Sequence, residues 1–129
     1  MPPAETPRIL LVDDEPSITD VVKMVLGQIG GYQIESELDP RLALQRIESF
    51  HPDLLILDTY MPHMSGMEIA QRARLHPDFG DRPILFFSGR EPTDVSALTF
   101  GRVEFLMKGS PTQNLLDLVD QMLAERAHS

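Results

Sequence analysis

The chain has 129 residues, with 20 acidic side chains against 11 basic ones, a formal net charge of −9 and no cysteine. That is one domain's worth of chain, long enough to bury about two thirds of its unfolded surface without covalent staples. The composition excludes a disulfide framework and a thiolate site. Its acidity argues against nucleic acid as a direct partner, because phosphate binding needs a basic surface, and no apolar run is long enough to span a bilayer.

Met1 to Pro7 carries three prolines and has neither the basic start nor the apolar core of a signal peptide. It reads as a disordered N-terminal tail. Ile9-Leu10-Leu11-Val12 is a buried strand that ends in Asp13-Asp14. Pro16 suits the first turn of a helix, and Ile18, Val21, Val22, Val25, Leu26 and Ile29 follow at helical spacing until Gly30-Gly31. Tyr32 to Leu38 alternates apolar and polar residues, which predicts a half-exposed strand at a sheet edge. Asp39-Pro40 opens a second helix with Ala43, Ile47 and Phe50 on one face, and His51-Pro52 breaks it.

Leu54-Leu55-Ile56-Leu57-Asp58 is four apolar residues ending in a carboxylate. Such a run is a strand buried on both faces, typical of a parallel sheet. A short helix over Met67 to Leu75 turns Ile69, Ala70 and Ala73 inward, and a polar loop runs from His76 to Arg82. Pro83 then opens Ile84-Leu85-Phe86-Phe87, which ends in Ser88-Gly89. Pro92 to Leu98 is a weak, short helix. Val103 to Met107 is a fifth strand ending in Lys108, and Ser110-Pro111 starts a last helix striped by Leu115, Leu118, Val119, Met122 and Leu123. Five strands alternating with five helices predict a doubly wound α/β layer structure. The alternating strand belongs at an edge, which gives the flavodoxin-like order 2-1-3-4-5 for one domain over residues 8–126, with a short tail at 127–129.

In such sheets ligands bind at the C-terminal rim of the strands, at the switch point between strands one and three. There the chain delivers Asp13, Asp14 and Asp58, then Ser88 and Lys108 from strands four and five. Carboxylates so close raise each other's pKa. A hard divalent cation such as Mg²⁺ removes that difficulty and still accepts phosphoryl oxygens. Acids, a cation, a hydroxyl and an ammonium together describe a site for a phosphoryl group on a carboxylate. Asp13-Asp14 alone could be a helix start, and a lone Ser88 or Lys108 a solvated loop residue; their gathering at one rim favours the site. The four histidines show no metal-ligand spacing, and there is no Gly-rich phosphate loop.

With these residues in view, the chain resembles the receiver domains of two-component response regulators (the CheY-like superfamily). The residues that carry the resemblance are Ile9 to Glu15, Asp58 to Gly66, Ser88, Phe105 and Lys108. The likeness implies that Asp58 accepts a phosphoryl group from a histidine kinase or a histidine phosphotransfer protein. It implies that Asp14, Asp58 and the Tyr60 backbone carbonyl ligate Mg²⁺, with Asp13 acting largely through water. It gives Lys108 and Ser88 the phosphoryl oxygens, and makes Ser88 and Phe105 the switch that alters a protein-binding surface formed by the Pro92–Leu98 segment, the fifth strand and the last helix. The implied partners are the phosphodonor and a downstream protein, with a phosphorylation-dependent homodimer as a further outcome. Neither nucleic acid nor membrane is contacted, and the implied location is the cytoplasm.

Three features depart from the family pattern. Gly109 follows Lys108 where a proline is usual, which predicts a trans bond there. The Ser88–Lys108 segment is short and offers Gly101-Arg102 before Phe105, so a short or distorted helix is expected in it. Phe105 stands where Tyr is commoner and has no hydroxyl to hold it outside. Rival readings are a pseudo-receiver that has lost phosphorylation, an aspartate-nucleophile phosphatase, and a flavodoxin-like cofactor binder. The phosphatase would need a second acid at position 60, which is Tyr60. The cofactor binder would need a phosphate loop where Asp13-Asp14-Glu15-Pro16 stands.

Overall fold

The computed structural model describes residues 6–92, 98 and 101–127. Five parallel strands, β1 (Arg8–Val12), β2 (Gln33–Glu37), β3 (Leu54–Leu57), β4 (Ile84–Ser88) and β5 (Val103–Met107), form one sheet in the order β2-β1-β3-β4-β5. The order is the expected one. β2 lies at an edge and is only half-buried, whereas every residue of β3 and β4 is buried.

The strand period of two sorts the apolar residues into two cores. Ile9, Leu11, Leu54, Ile56, Leu85 and Phe87 face one side, where Val22, Val25, Leu26, Leu115, Val119 and Met122 cover them. Leu10, Val12, Leu55, Leu57, Ile84 and Phe86 face the other, under Ala43, Ile47, Ile69, Ala70 and Ala73. At about 25 cal/mol per Å² of apolar area removed from water, these two layers are the main stabilising term, and they fix the register. A slip by one residue would exchange the two faces of a strand.

The first helix is not one regular α-helix. Helix α1 (Pro16–Val22) passes into a π-helical stretch over Lys23–Ile29, with the Gly30 N–H bonded to the Val25 carbonyl at 2.9 Å. The wider turn departs from the 3.6-residue period. Val25 and Leu26 stay in the core, but Val21 is 42% and Ile29 67% exposed. The expected inward stripe therefore fails at those two residues. Asp39 caps a 3-10 turn over Pro40–Leu42 by accepting from the Arg41 N–H, and helix α2 (Ala43–Phe50) follows. Helix α3 (Gly66–Leu75) begins at Ser65, whose hydroxyl accepts from the Glu68 N–H at 3.1 Å, a capping arrangement that the Ser65-x-x-Glu68 spacing favours.

The loop from His76 to Arg82 is less polar than its sequence suggests. It buries Phe79, and Arg74 at the end of α3 closes over it. The Arg74 guanidinium is itself buried, donating to the carbonyls of Gly80 (2.9 Å), Arg82 (2.5 Å) and Arg102 (3.2 Å). Helix α4 (Thr112–Ala127) is the last element. The helix expected between Pro92 and Leu98 falls on 93–97, and the tail residues 1–5, 128 and 129 likewise lie outside the described residues. Among the described residues every peptide bond is trans, Lys108–Gly109 included, and no helix is long and apolar enough to cross a membrane.

Candidate functional site

The site is built by strand ends. The last β1–β3 pair is Val12 with Leu57, so the next residues, Asp13 and Asp58, emerge side by side. Their backbones remain tied to the sheet: the Asp58 N–H donates to the Val12 carbonyl at 3.1 Å and the Asp13 N–H to the Glu37 carbonyl at 3.2 Å. β4 ends one residue further along with Ser88, paired with Met107. The Lys108 N–H donates to the Ser88 carbonyl at 2.9 Å, which places the lysine at the same rim.

The side chains converge. Ser88 Oγ donates to Asp58 Oδ1 at 2.6 Å, and Lys108 Nζ lies 3.2 Å from Asp58 Oδ2. The same ammonium reaches Asp13 Oδ2 at 2.8 Å and Glu15 Oε1 at 3.1 Å. Asp13, Asp58 and Ser88 are all buried, at 0%, 5% and 2% exposure. Asp14 is half-buried and Tyr60 exposed. Phe105 packs half-buried against the Leu57 and Phe86 face of the core. It lines a cavity of about 290 Å³ together with Phe86, Leu98 and Val103.

Burial is the largest single influence on both Asp13 and Lys108. It pushes the Asp13 carboxyl above the ordinary carboxylate value, although the Lys108 ammonium and the Glu15 N–H (3.0 Å to Asp13 Oδ1) pull it down. Burial also works against the Lys108 ammonium, but the Asp13 and Glu15 carboxylates outweigh it and hold the lysine above its usual value. One cation is thus shared among three carboxylates.

Asp13, Asp14, Glu15 and Asp58 can each offer one oxygen, all within 4.8 Å of one another. An all-oxygen, anionic donor set suits a hard divalent cation. Asp13 Oδ2 supports the fit. It is buried and held by the Lys108 ammonium at 2.8 Å as an ion pair without an aligned hydrogen bond, a partner that a bound metal cation would share or replace.

The structure brings together Asp13, Asp14, Asp58, Ser88 and Lys108. It adds three residues to which the sequence alone assigns no role. The Glu15 carboxylate joins the lysine cluster; its place in the acidic run Asp13-Asp14-Glu15 is the signal that could have revealed it. Gly66 packs on the Asp58 backbone, and a Cβ there would stand 2.0 Å from the Asp58 carbonyl oxygen. Thr59 is buried and donates to the Arg90 carbonyl at 3.0 Å, a contact across 31 residues that no local pattern announces.

The fold is that of the CheY-like receivers. A receiver domain protein from Methanospirillum hungatei superposes with a TM-score of 0.83 at 28% identity, covering 96% of this chain and 98% of that one. Chemotaxis protein CheY4 of Vibrio cholerae gives 0.81 at 27% identity, over 91% and 98%. The sequence profile of the response regulator receiver domain matches residues 9–120, and the chain belongs to that family. It is 32% identical over 123 residues to the transcriptional regulatory protein TrcR of Mycobacterium tuberculosis, covering 94% of this chain and 47% of that protein. It is 34% identical over 111 residues to the response regulator MprA of Mycolicibacterium vanbaalenii, covering 84% and 47%. The chain spans about half the length of these curated relatives.

Proposed function

We propose that this receiver domain is a phosphoacceptor switch in which Asp58 takes a phosphoryl group from a phosphohistidine donor, a histidine kinase or a histidine phosphotransfer protein. The observation that carries the reading is the split grip on one buried carboxylate: Ser88 Oγ on Oδ1, Lys108 Nζ on Oδ2, and further acids alongside. Such a grip orients a nucleophile and supplies donors to the oxygens of the incoming group.

A carboxylate oxygen of Asp58 forms the O–P bond while the P–N bond to the donor imidazole breaks, and that electron pair returns to the imidazole nitrogen. Lys108 and Ser88 then turn their donors from the carboxylate to the phosphoryl oxygens. Asp13, Asp14 and Asp58, with the Tyr60 carbonyl, would hold Mg²⁺, which when bound neutralises charge between carboxylates and phosphoryl oxygens. Phosphorylation replaces a carboxylate of charge −1 by an acyl phosphate of about −1.5 to −2, a net addition of about −0.5 to −1. Drawing Ser88 toward the phosphoryl group, with Phe105 turning inward beside its cavity, alters the β5–α4 side of the domain for a downstream protein or a second copy. The domain works as a switch rather than a turnover catalyst. Likeness to the transcriptional regulatory protein TrcR supports transcription as the eventual readout, with no nucleic-acid contact by this acidic domain.

Intact mass after incubation with acetyl phosphate or phosphoramidate and Mg²⁺ tests the proposal. One phosphoryl adduct is expected, dependent on Mg²⁺ and abolished in Asp58→Asn. A folded, Mg²⁺-binding protein that takes no adduct would favour a pseudo-receiver.

A further inference from the structure

The sheet stops holding the chain at Ser88, yet the chain beyond it stays in place. The last ladder bond runs from the Lys108 N–H to the Ser88 carbonyl. Gly89 and Arg90 then lie exposed at the rim. Three contacts fasten this stretch to the residues around Asp58. Ser88 Oγ donates to Asp58 Oδ1 at 2.6 Å, Thr59 Oγ1 donates to the Arg90 carbonyl at 3.0 Å, and the Arg90 guanidinium lies over the Tyr60 ring, 5.4 Å from its centre. Asp58, Thr59 and Tyr60 thus fasten Ser88 and Arg90 in consecutive steps.

These contacts differ in kind. The cation–π pair is between exposed groups, worth little and tolerant of geometry. The Thr59 contact is made by a side chain 3% exposed, whose hydroxyl has a strong reason to keep a partner there. It fixes the Arg90 peptide. The Arg90 N–H in turn points at Ser88 Oγ, 3.4 Å away. A serine hydroxyl that accepts from one side sends its proton to the other, where Asp58 Oδ1 stands. The chain of influence runs from the Thr59 hydroxyl through the Arg90 backbone to the Ser88 hydroxyl and the carboxylate.

We infer that Thr59 is a positioning residue for phosphotransfer, holding the Ser88 hydroxyl on Asp58 before any phosphoryl group arrives. The inference rests on the phosphoacceptor reading above and deepens it. Ser88 therefore starts from Asp58 itself, its hydroxyl already on Oδ1 at 2.6 Å when the phosphoryl group arrives.

The test compares the rate of adduct formation with acetyl phosphate and Mg²⁺, read by intact mass, in Thr59→Val, Thr59→Ser, Ser88→Ala and Thr59→Val/Ser88→Ala. Valine keeps the shape and loses the hydroxyl; a rate about five-fold slower is expected, the worth of one neutral hydrogen bond. Serine keeps the hydroxyl and should restore the rate to within about two-fold. In the Ser88→Ala background the valine should have no further effect, since its influence passes through Ser88. A Thr59→Val rate equal to wild type overturns the inference. So does an equal slowing in both backgrounds, which would mark general damage to the loop. Thermal melting monitors folding, and Thr59→Ala replaces the valine variant should that one not fold. Wild-type protein that takes no adduct refutes the phosphoacceptor reading, and the role of Thr59 falls with it.

Discussion

The two ends of the sheet treat buried charge in opposite ways. At the N-terminal end of β4 and β5, one buried cation is held chiefly by backbone dipoles: Arg74 donates to the carbonyls of Gly80, Arg82 and Arg102, its guanidinium lies 5.9 Å from the centre of the Phe79 ring, and the Asp81 carboxylate favours its charge from further off. At the C-terminal end, buried anions outnumber the single ammonium that serves them. Burial acts against the charge at both ends, drawing Arg74 below its usual pKa and pushing Asp13 above its own. The carbonyls are fixed in the backbone and hold the cation in one arrangement. The carboxylates share a partner and gain from any further cation or any change in the charge of one of them. One end is made to stay as it is, and the other to be altered.

Substitutions can sharpen or break this contrast. Gly66→Ala should show the largest effect. Its Cβ would collide with the Asp58 carbonyl oxygen, the acceptor would move, and adduct formation should slow by about ten- to a hundred-fold, as misplaced reacting groups do. An unchanged rate would mean that the acidic end tolerates displacement. Arg74→Met should lower stability by about 3 kcal/mol in denaturant unfolding, because it strands carbonyls that the guanidinium satisfies. In the folded variant the phosphorylation rate should stay within about two-fold of wild type. A large rate defect there would show that the ends are coupled. Asp13→Asn should raise the stability of the chelator-treated protein in denaturant unfolding, since burial is the largest influence on its carboxylate and works against the charge. The same change should weaken Mg²⁺ binding, measured by calorimetry. Loss of stability without metal would mean that Asp13 is held chiefly by Lys108 and not strained by its burial.

Much of the fold was legible because its signals are local. The uninterrupted run Leu54 to Leu57 could only be a doubly covered strand, and the alternation through Tyr32 to Leu38 could only suit an edge. The helix over Lys23–Ile29 was misjudged because the sequence stripe assumes 3.6 residues per turn, and no residue type announces a wider turn. Asp13, Asp14, Asp58, Ser88 and Lys108 were legible as a group because strand ends deliver them to one rim. Their mutual contacts were not. Lys108 could have reached only Asp58; that it also serves Asp13 and Glu15 depends on the direction of a flexible side chain. The Thr59–Arg90 bond joins two residues that lie outside every periodic pattern.

The acidic rim also acts beyond contact distance. With four carboxylates gathered near one lysine on a chain of net charge −9, the field at the mouth attracts divalent cations and repels small anions before either touches the protein. Acetyl phosphate and phosphoramidate approach against that field, whereas a protein donor can present a basic surface of its own. At about 0.1 M salt the field fades within about 10 Å. If Asp58 is the phosphoacceptor proposed above, rising ionic strength should therefore separate the two kinds of donor, speeding adduct formation with the small anions and slowing it with a partner drawn in by opposite charge.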